Sequence, residues 1–232
     1  MRDVVNSISE SQAGVPEQKV NPMSGRWLLW VDGVGGYLLL PGDDWTLGGP
    51  SGANDAEICI QGDLMRREAC IRRQGGDYVL QPLGTVLLSG RRMNRPAMLK
   101  DGDTFLLGGI RPGGSGPADI GSHRGVQVEF AKPHPLSASA RLTLETRHRT
   151  RPRSDGMVLV ADTCVIGPSR ASHIIAPGAA GEIVLLFRQG EWLCRGTGET
   201  EINGQAVSGR AMVPPGARVE SAGIAFSLEA VL

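Results

Sequence analysis

No stretch of this chain is apolar for long enough to cross a membrane as a helix. The longest uncharged apolar runs, WLLWV and IVLLF, are about five residues against the ~20 a span needs. The N-terminus, MRDVVNSISESQAGVPEQKVNPMSG, lacks the apolar core of a signal peptide and is polar enough to be expected disordered over residues 1–24. Neither sign of charge dominates: 24 Lys and Arg face 24 Asp and Glu, which removes any global argument for nucleic acid or an acidic membrane. Cysteine is sparse and scattered. Cys59, Cys70, Cys164 and Cys194 form no C-x-x-C pair and have no histidine nearby, which argues against a disulfide framework or a zinc site. Each lies in an apolar run, as reduced, buried thiols do. Aromatics are only 4% of the residues, whereas glycine (33) and proline (15) are abundant, a mixture suited to short strands and tight turns rather than long helices. A soluble, cytoplasmic protein is expected.

From about residue 25 the chain runs through short apolar segments bounded by Gly, Pro, Asn or Asp: WLLWVD, GYLLLP, DDWTLGG, AEICI, EACIRR, DYVLQ, TVLLSG, DTFLLGG, VQVEF and ARLTLE. No long window carries a sustained helical period with caps, so the reading is all-β. A second series, from GMVLVADTCVIG to IAFSLEAVL, begins near residue 156. TRHRTRPRSD, at 146–155, lies between the two and reads as an exposed basic linker. Gly84, Gly90 and Gly102 recur at one common displacement as Gly198, Gly204 and Gly216, and RRQGGDYVLQ parallels FRQGEWLCR. Several matches at one spacing favour duplication of a single fold. The expected organisation is a tail at 1–24, a domain at 25–145, a linker at 146–155 and a second, more altered domain at 156–232.

The order of turns carries a resemblance. A strand ends in a glycine turn (DDWTLGG), and an arginine-bearing turn enters a strand (LMRREACI). A Gly-Thr turn (LGTVLLSG) and an Asp-Gly turn (LKDGDTFLLGG), read as a hairpin, follow. This order resembles the forkhead-associated (FHA) domain family, well over about 26–145 and more weakly over 156–232. The resemblance implies two FHA-like β-sandwich domains in tandem, with ligand loops gathered at one end of each. It also implies a protein partner related to Ser/Thr phosphorylation, in signalling or assembly.

A phosphothreonine needs guanidinium forks and hydroxyl or amide donors at fixed positions, and most of these are missing. Where the family has Gly-Arg, this chain has Gly48-Gly49. Where it has Ser-Arg-x-His, Met65-Arg66-Arg67-Glu68 stands, one arginine kept and both serine and histidine lost. Leu83 replaces the asparagine before Gly84, and the later Asn-Gly is Ser89-Gly90. Arg66, Arg67 and Ser89 are therefore the candidate phosphopeptide-binding residues. Glu68 is expected to weaken any anion site, or to pair with Arg66. In the second series Pro168 takes the arginine position and GEIVLLF the Ser-Arg-x-His loop, leaving Arg170 and His173 as its anion candidates; Asn203-Gly204 reads as a type I′ turn.

Other functions find less support. His123, His134, His148 and His173 have no metal-ligand spacing, and neither a Gly-x-Ser-x-Gly elbow nor a Gly-Lys-Ser/Thr phosphate loop is present, so no catalytic residue, metal or cofactor is assigned. The basic clusters RHRTRPR and RRMNR contain no aromatics for stacking, which counts against nucleic acid. Two readings stay open: partner recognition by surfaces or strand edges without a phosphate, which is preferred, and weak phosphothreonine binding through Arg66 and Arg67.

Overall fold

A computed structural model describes residues 25–52, 56–109 and 125–231. The tail expected at 1–24, and His123, lie outside the described residues. The first elements are β1 (Arg26–Val31), β2 (Gly35–Pro41), β3 (Asp44–Gly48), β4 (Ile58–Gln61), β5 (Ala69–Gln74) and β6 (Asp77–Pro82). Next come β7 (Val86–Leu88), β8 (Arg91–Arg92), β9 (Ala97–Leu99), β10 (Thr104–Leu107), β11 (Val126–Ala131) and β12 (Ala140–Leu144). They are followed by β13 (Arg149–Arg151), β14 (Gly156–Val160), β15 (Thr163–Gly167), β16 (Ile174–Ile175), β17 (Ile183–Arg188) and β18 (Glu191–Gly196). The last are β19 (Thr200–Ile202), β20 (Gln205–Val207), β21 (Ala211–Met212), β22 (Arg218–Ser221) and β23 (Ile224–Val231). The fold is all-β, with no helix among the described residues.

These strands build three sheets. A 12-stranded sheet runs β20-β19-β22-β23-β1-β2-β14-β12-β11-β10-β7-β8. A six-stranded sheet, β13-β4-β3-β5-β6-β9, and a five-stranded sheet, β16-β15-β17-β18-β21, each share a core with part of it. Side-chain alternation decides which residues enter which core. On β2, Leu38 and Leu40 join the first core while Leu39 joins the second; on β14, Met157 and Leu159 oppose Val158 and Val160 in the same way. Every residue of β14 is buried, because these central strands are covered on both faces. Outer strands such as β10 and β11 alternate buried with half-buried positions instead.

The large sheet is symmetric in order about the parallel β2–β14 pair. Moving outward, one side meets β1, β23, β22, β19 and β20, the other β12, β11, β10, β7 and β8. The small sheets match likewise, with β4-β3-β5-β6-β9 against β16-β15-β17-β18-β21 and the β3–β4 and β15–β16 pairs both parallel. The opening strands are exchanged. β1 and β2 lead into β3, yet β1 pairs with the final strand β23; β12 and β14 lead into β15, yet β12 pairs with β11. Each half's opening pair thus completes the other half's sandwich. A cut near residue 150 would take β14 from the first core and both β1 and β2 from the second. One cooperative unfolding transition is therefore expected: variants keeping only Trp45, in the first core, or only Trp192, in the second, should report the same urea midpoint. Two separated midpoints would mean that the cores unfold independently.

Two expectations are corrected in detail. The Asp101-Gly102 turn is no hairpin: β9 pairs with β6 in the six-stranded sheet and β10 with β7 and β11 in the large one. Only Gly102 of the two central residues has positive φ (81°), and the Asp103 N–H donates to Lys100 O at 3.0 Å, so the turn passes the chain between layers. The segment at 146–155, expected as a linker, contains β13, which pairs with β4 through Arg149–Gln61, Thr150–Ile60 and Arg151–Cys59. Thr150 is buried there between exposed arginines, a one-residue alternation hidden by the segment's polarity. By contrast, Ser89-Gly90 and Asn203-Gly204 both form turns with positive φ at both positions (50° and 76°, 52° and 75°), closing the equivalent β7–β8 and β19–β20 hairpins.

All four cysteines are buried and form no disulfide, and burial pushes the Cys164 thiol up to about 12. His173 is fully buried and stacks on His134 with ring centroids 5.9 Å apart. Burial chiefly, then the His134 and Arg141 charges, lower its pKa to about 4 against the opposing effects of the Ser139 backbone and Asp162. An unfolded histidine protonates near 6.5, so below that pH the unfolded chain binds the proton first. The stabilisation is complete above about pH 6.5 and disappears as pH falls to about 4. The Tm gap between wild type and His173→Asn should therefore shrink from pH 7 to pH 4; a constant gap would contradict the assignment.

Candidate functional site

Three of the loops meet at one end of the first sandwich. The β3 end, the β4–β5 loop and the Leu83–Thr85 turn lie together, because β3 and β4 run parallel and β5 returns antiparallel to β3. Glu68 fastens them. It is 2% exposed, and its carboxylate faces inward, accepting the Met65 N–H at 2.8 Å and the Thr85 N–H at 2.5 Å. Its own N–H donates to Leu47 O at 2.8 Å, and its carbonyl accepts the N–H groups of Leu83 (3.0 Å) and Gly84 (2.8 Å). One residue ties three loops, so the carboxylate neither faces an incoming anion nor spoils its surroundings. It is an internal brace.

The glycines complete the closure. A Cβ on Gly48 would overlap the Arg66 carbonyl, and one on Gly49 would lie 2.7 Å from Leu64 O. The Gly49 N–H donates to Met65 O at 2.8 Å. The backbone of the arginine-bearing loop therefore occupies the space beside the β3 end. Gly84 has no room either, since its Cβ would meet the Glu68 carboxylate and, at 3.0 Å, Met65 Sδ.

Arg66 and Arg67 are exposed on this loop, next to Met65 at 59% exposure. Ser89 is not with them. It caps the far end of β7, four residues beyond Thr85, or about 13 Å along a strand. The other two arginines of the stretch, Arg72 and Arg73, are engaged elsewhere: Arg72 pairs with Asp44 at 2.8 Å and Arg73 with Asp43, tying β5 to β3. In the second half His173 is no anion ligand, since it is buried with Nδ1 accepting the Val165 N–H at 3.0 Å; Arg170 stays exposed.

Sequence reasoning missed a basic cluster at the same end. The chain leaves β12 in the large sheet, forms β13 at the edge of the six-stranded sheet, and returns to β14. This excursion encloses a cavity of about 210 Å³ lined by Arg147, His148, Arg149, Arg153, Ser154 and Asp155, among others. Its pairing with β4 places it beside the β4–β5 loop, where a Cβ on Gly62 would lie 3.1 Å from the His148 ring. The density of arginines was legible, but not that they surround one space.

Comparison with known proteins adds little. No family model matches the chain, and no curated protein matches it. Among solved structures, the N-terminal FHA domain from EssC, a component of the bacterial Type VII secretion apparatus, aligns over 88% of this chain and 94% of that chain, at 11% identity and a TM-score of 0.23. An overlay at that score carries no weight for the site. No described group of three or more His, Cys, Asp or Glu side chains is arranged to hold a metal ion, and no described helix is long and apolar enough to cross a membrane.

Proposed function

We propose that this chain is a non-catalytic interaction protein made of two FHA-like sandwiches in tandem, whose first phosphothreonine site is closed by its own loops. The observation that supports this most is the Glu68 brace with the glycines packed against the β4–β5 backbone. Donors that would have to face a phosphate are spent on holding the loops together. Partner recognition then falls to exposed surfaces and strand edges, as in β-augmentation, and the partner is a protein acting in signalling or assembly. The resemblance to FHA domains is what suggests Ser/Thr phosphorylation as its setting.

Weak phosphothreonine binding through Arg66 and Arg67 is the second reading, favoured by the exposure of both side chains at the loop tip. A phosphothreonine peptide library titrated against wild type and the double variant Arg66→Ala, Arg67→Ala separates the two. The preferred reading expects affinities within about twofold of each other. A loss of tenfold or more in the variant, about 1.4 kcal/mol, would establish the second.

A further inference from the structure

We propose that the cavity enclosed by the β12–β13–β14 excursion is a binding site for a phosphomonoester dianion. Three exposed arginines line it, Arg147, Arg149 and Arg153, with His148 between the first two in sequence. Among the described residues none of the three has an ion-pair partner, whereas Arg72, Arg73 and Arg218 are each paired with acidic side chains. In a chain of zero net charge, that leaves a local surplus of cations. The single acid in the cavity wall is committed elsewhere: Asp155 Oδ2 accepts the Gly36 N–H at 2.8 Å.

The neutral polar groups order the loop that carries these arginines. Thr150 Oγ1 accepts the Ser154 N–H at 2.8 Å and lies 2.8 Å from Ser154 Oγ, which holds the turn below the arginines. His148 Nδ1 lies 2.8 Å from Thr146 Oγ1, which fixes its ring. Forked guanidiniums are what bind phosphate tightly. Size points the same way. About 210 Å³ exceeds the ~30 Å³ share of one water but falls below the roughly 300–1,000 Å³ of sites that enclose a whole small molecule. Only the phosphoryl end of a ligand enters. A nucleic-acid track is disfavoured, because the lining has no Phe, Tyr or Trp ring for base stacking.

The architecture marks the excursion as an addition. In the order of the large sheet, the β12–β14 connection corresponds to the turn joining β1 and β2. That turn closes within three residues, with Val34 N–H donating to Val31 O at 3.1 Å. The basic connection instead adds β13, the one strand of the six-stranded sheet without an equivalent in the five-stranded sheet.

The test is calorimetric titration of the full chain with inorganic phosphate, a phosphothreonine peptide, its unphosphorylated form and single-stranded RNA. Arg149→Gln combined with Arg153→Gln should weaken the phosphorylated ligands at least tenfold. Arg66→Ala with Arg67→Ala should leave them within about twofold, so failure of the site and failure of the proposed function are read separately. Both substituted pairs are exposed, and circular dichroism verifies folding. Peptide bound at least tenfold more tightly than phosphate identifies a protein-borne group, and equal affinities a free phosphomonoester; either supports the site. No binding of phosphate or peptide at millimolar concentration, binding unaffected by the Arg149 and Arg153 changes, or RNA displacing the peptide with a steep salt dependence would overturn it.

Discussion

Glu68→Ala should cost about 4 kcal/mol of unfolding free energy and free three loops at once. The alanine leaves the Met65 and Thr85 N–H groups without their acceptor in a site that is 2% exposed. Each buried donor left unpaired costs about 1–3 kcal/mol. Replacing a buried ion with an apolar residue is often harmless when its partner is removed as well, but here the partners are backbone and remain. Glu68→Leu should therefore be as damaging as alanine. Glu68→Gln should fall between, because one amide oxygen still accepts while the NH2 faces a donor. Urea denaturation gives the free energies, and hydrogen exchange at Met65 and Thr85 should accelerate. A loss below about 1 kcal/mol for alanine would mean that Glu68 does not hold the loops.

The second large effect lies at the glycines. Gly48→Ala should destabilise by about 3 kcal/mol, the upper part of the range for overpacking a filled site. The atom it strikes is the Arg66 carbonyl, which cannot turn aside as a side-chain tip can. Gly49→Arg is the more instructive change, since it restores the family's Gly-Arg pattern. Its Cβ would lie 2.7 Å from Leu64 O, so the new guanidinium cannot be seated without displacing the β4–β5 backbone. The expected outcome is lower stability and no gain in phosphothreonine affinity. Unchanged stability with a tenfold gain would show that only one side chain is missing from a working site.

How far the sequence could be read follows from which signals are local. Most strands were legible because alternation and flanking turn residues are written within a few positions, as in VQVEF at β11. Ser89-Gly90 and Asn203-Gly204 could be matched because turn chemistry is local too. The exchange of opening pairs was not legible: WLLWV carries the same pattern whether it pairs with β11 or, as it does, with β23. Nor was β13, whose only inward residue is Thr150. At the site, the loss of serine, histidine and asparagine was plain from residue types. The role of Glu68 was not, because a carboxylate among arginines reads as a counter-ion until its backbone donors are seen.

The most direct test of the central claim, that the loops which would clasp a phosphothreonine are closed onto themselves, is an amide-resolved NMR titration of the full chain with a phosphothreonine peptide. The expected shifts fall on residues 147–154 and spare Gly48, Gly49, Met65, Arg66, Arg67 and Thr85. Saturable shifts at Met65, Arg66, Arg67 and Thr85, with none at 147–154, would contradict it.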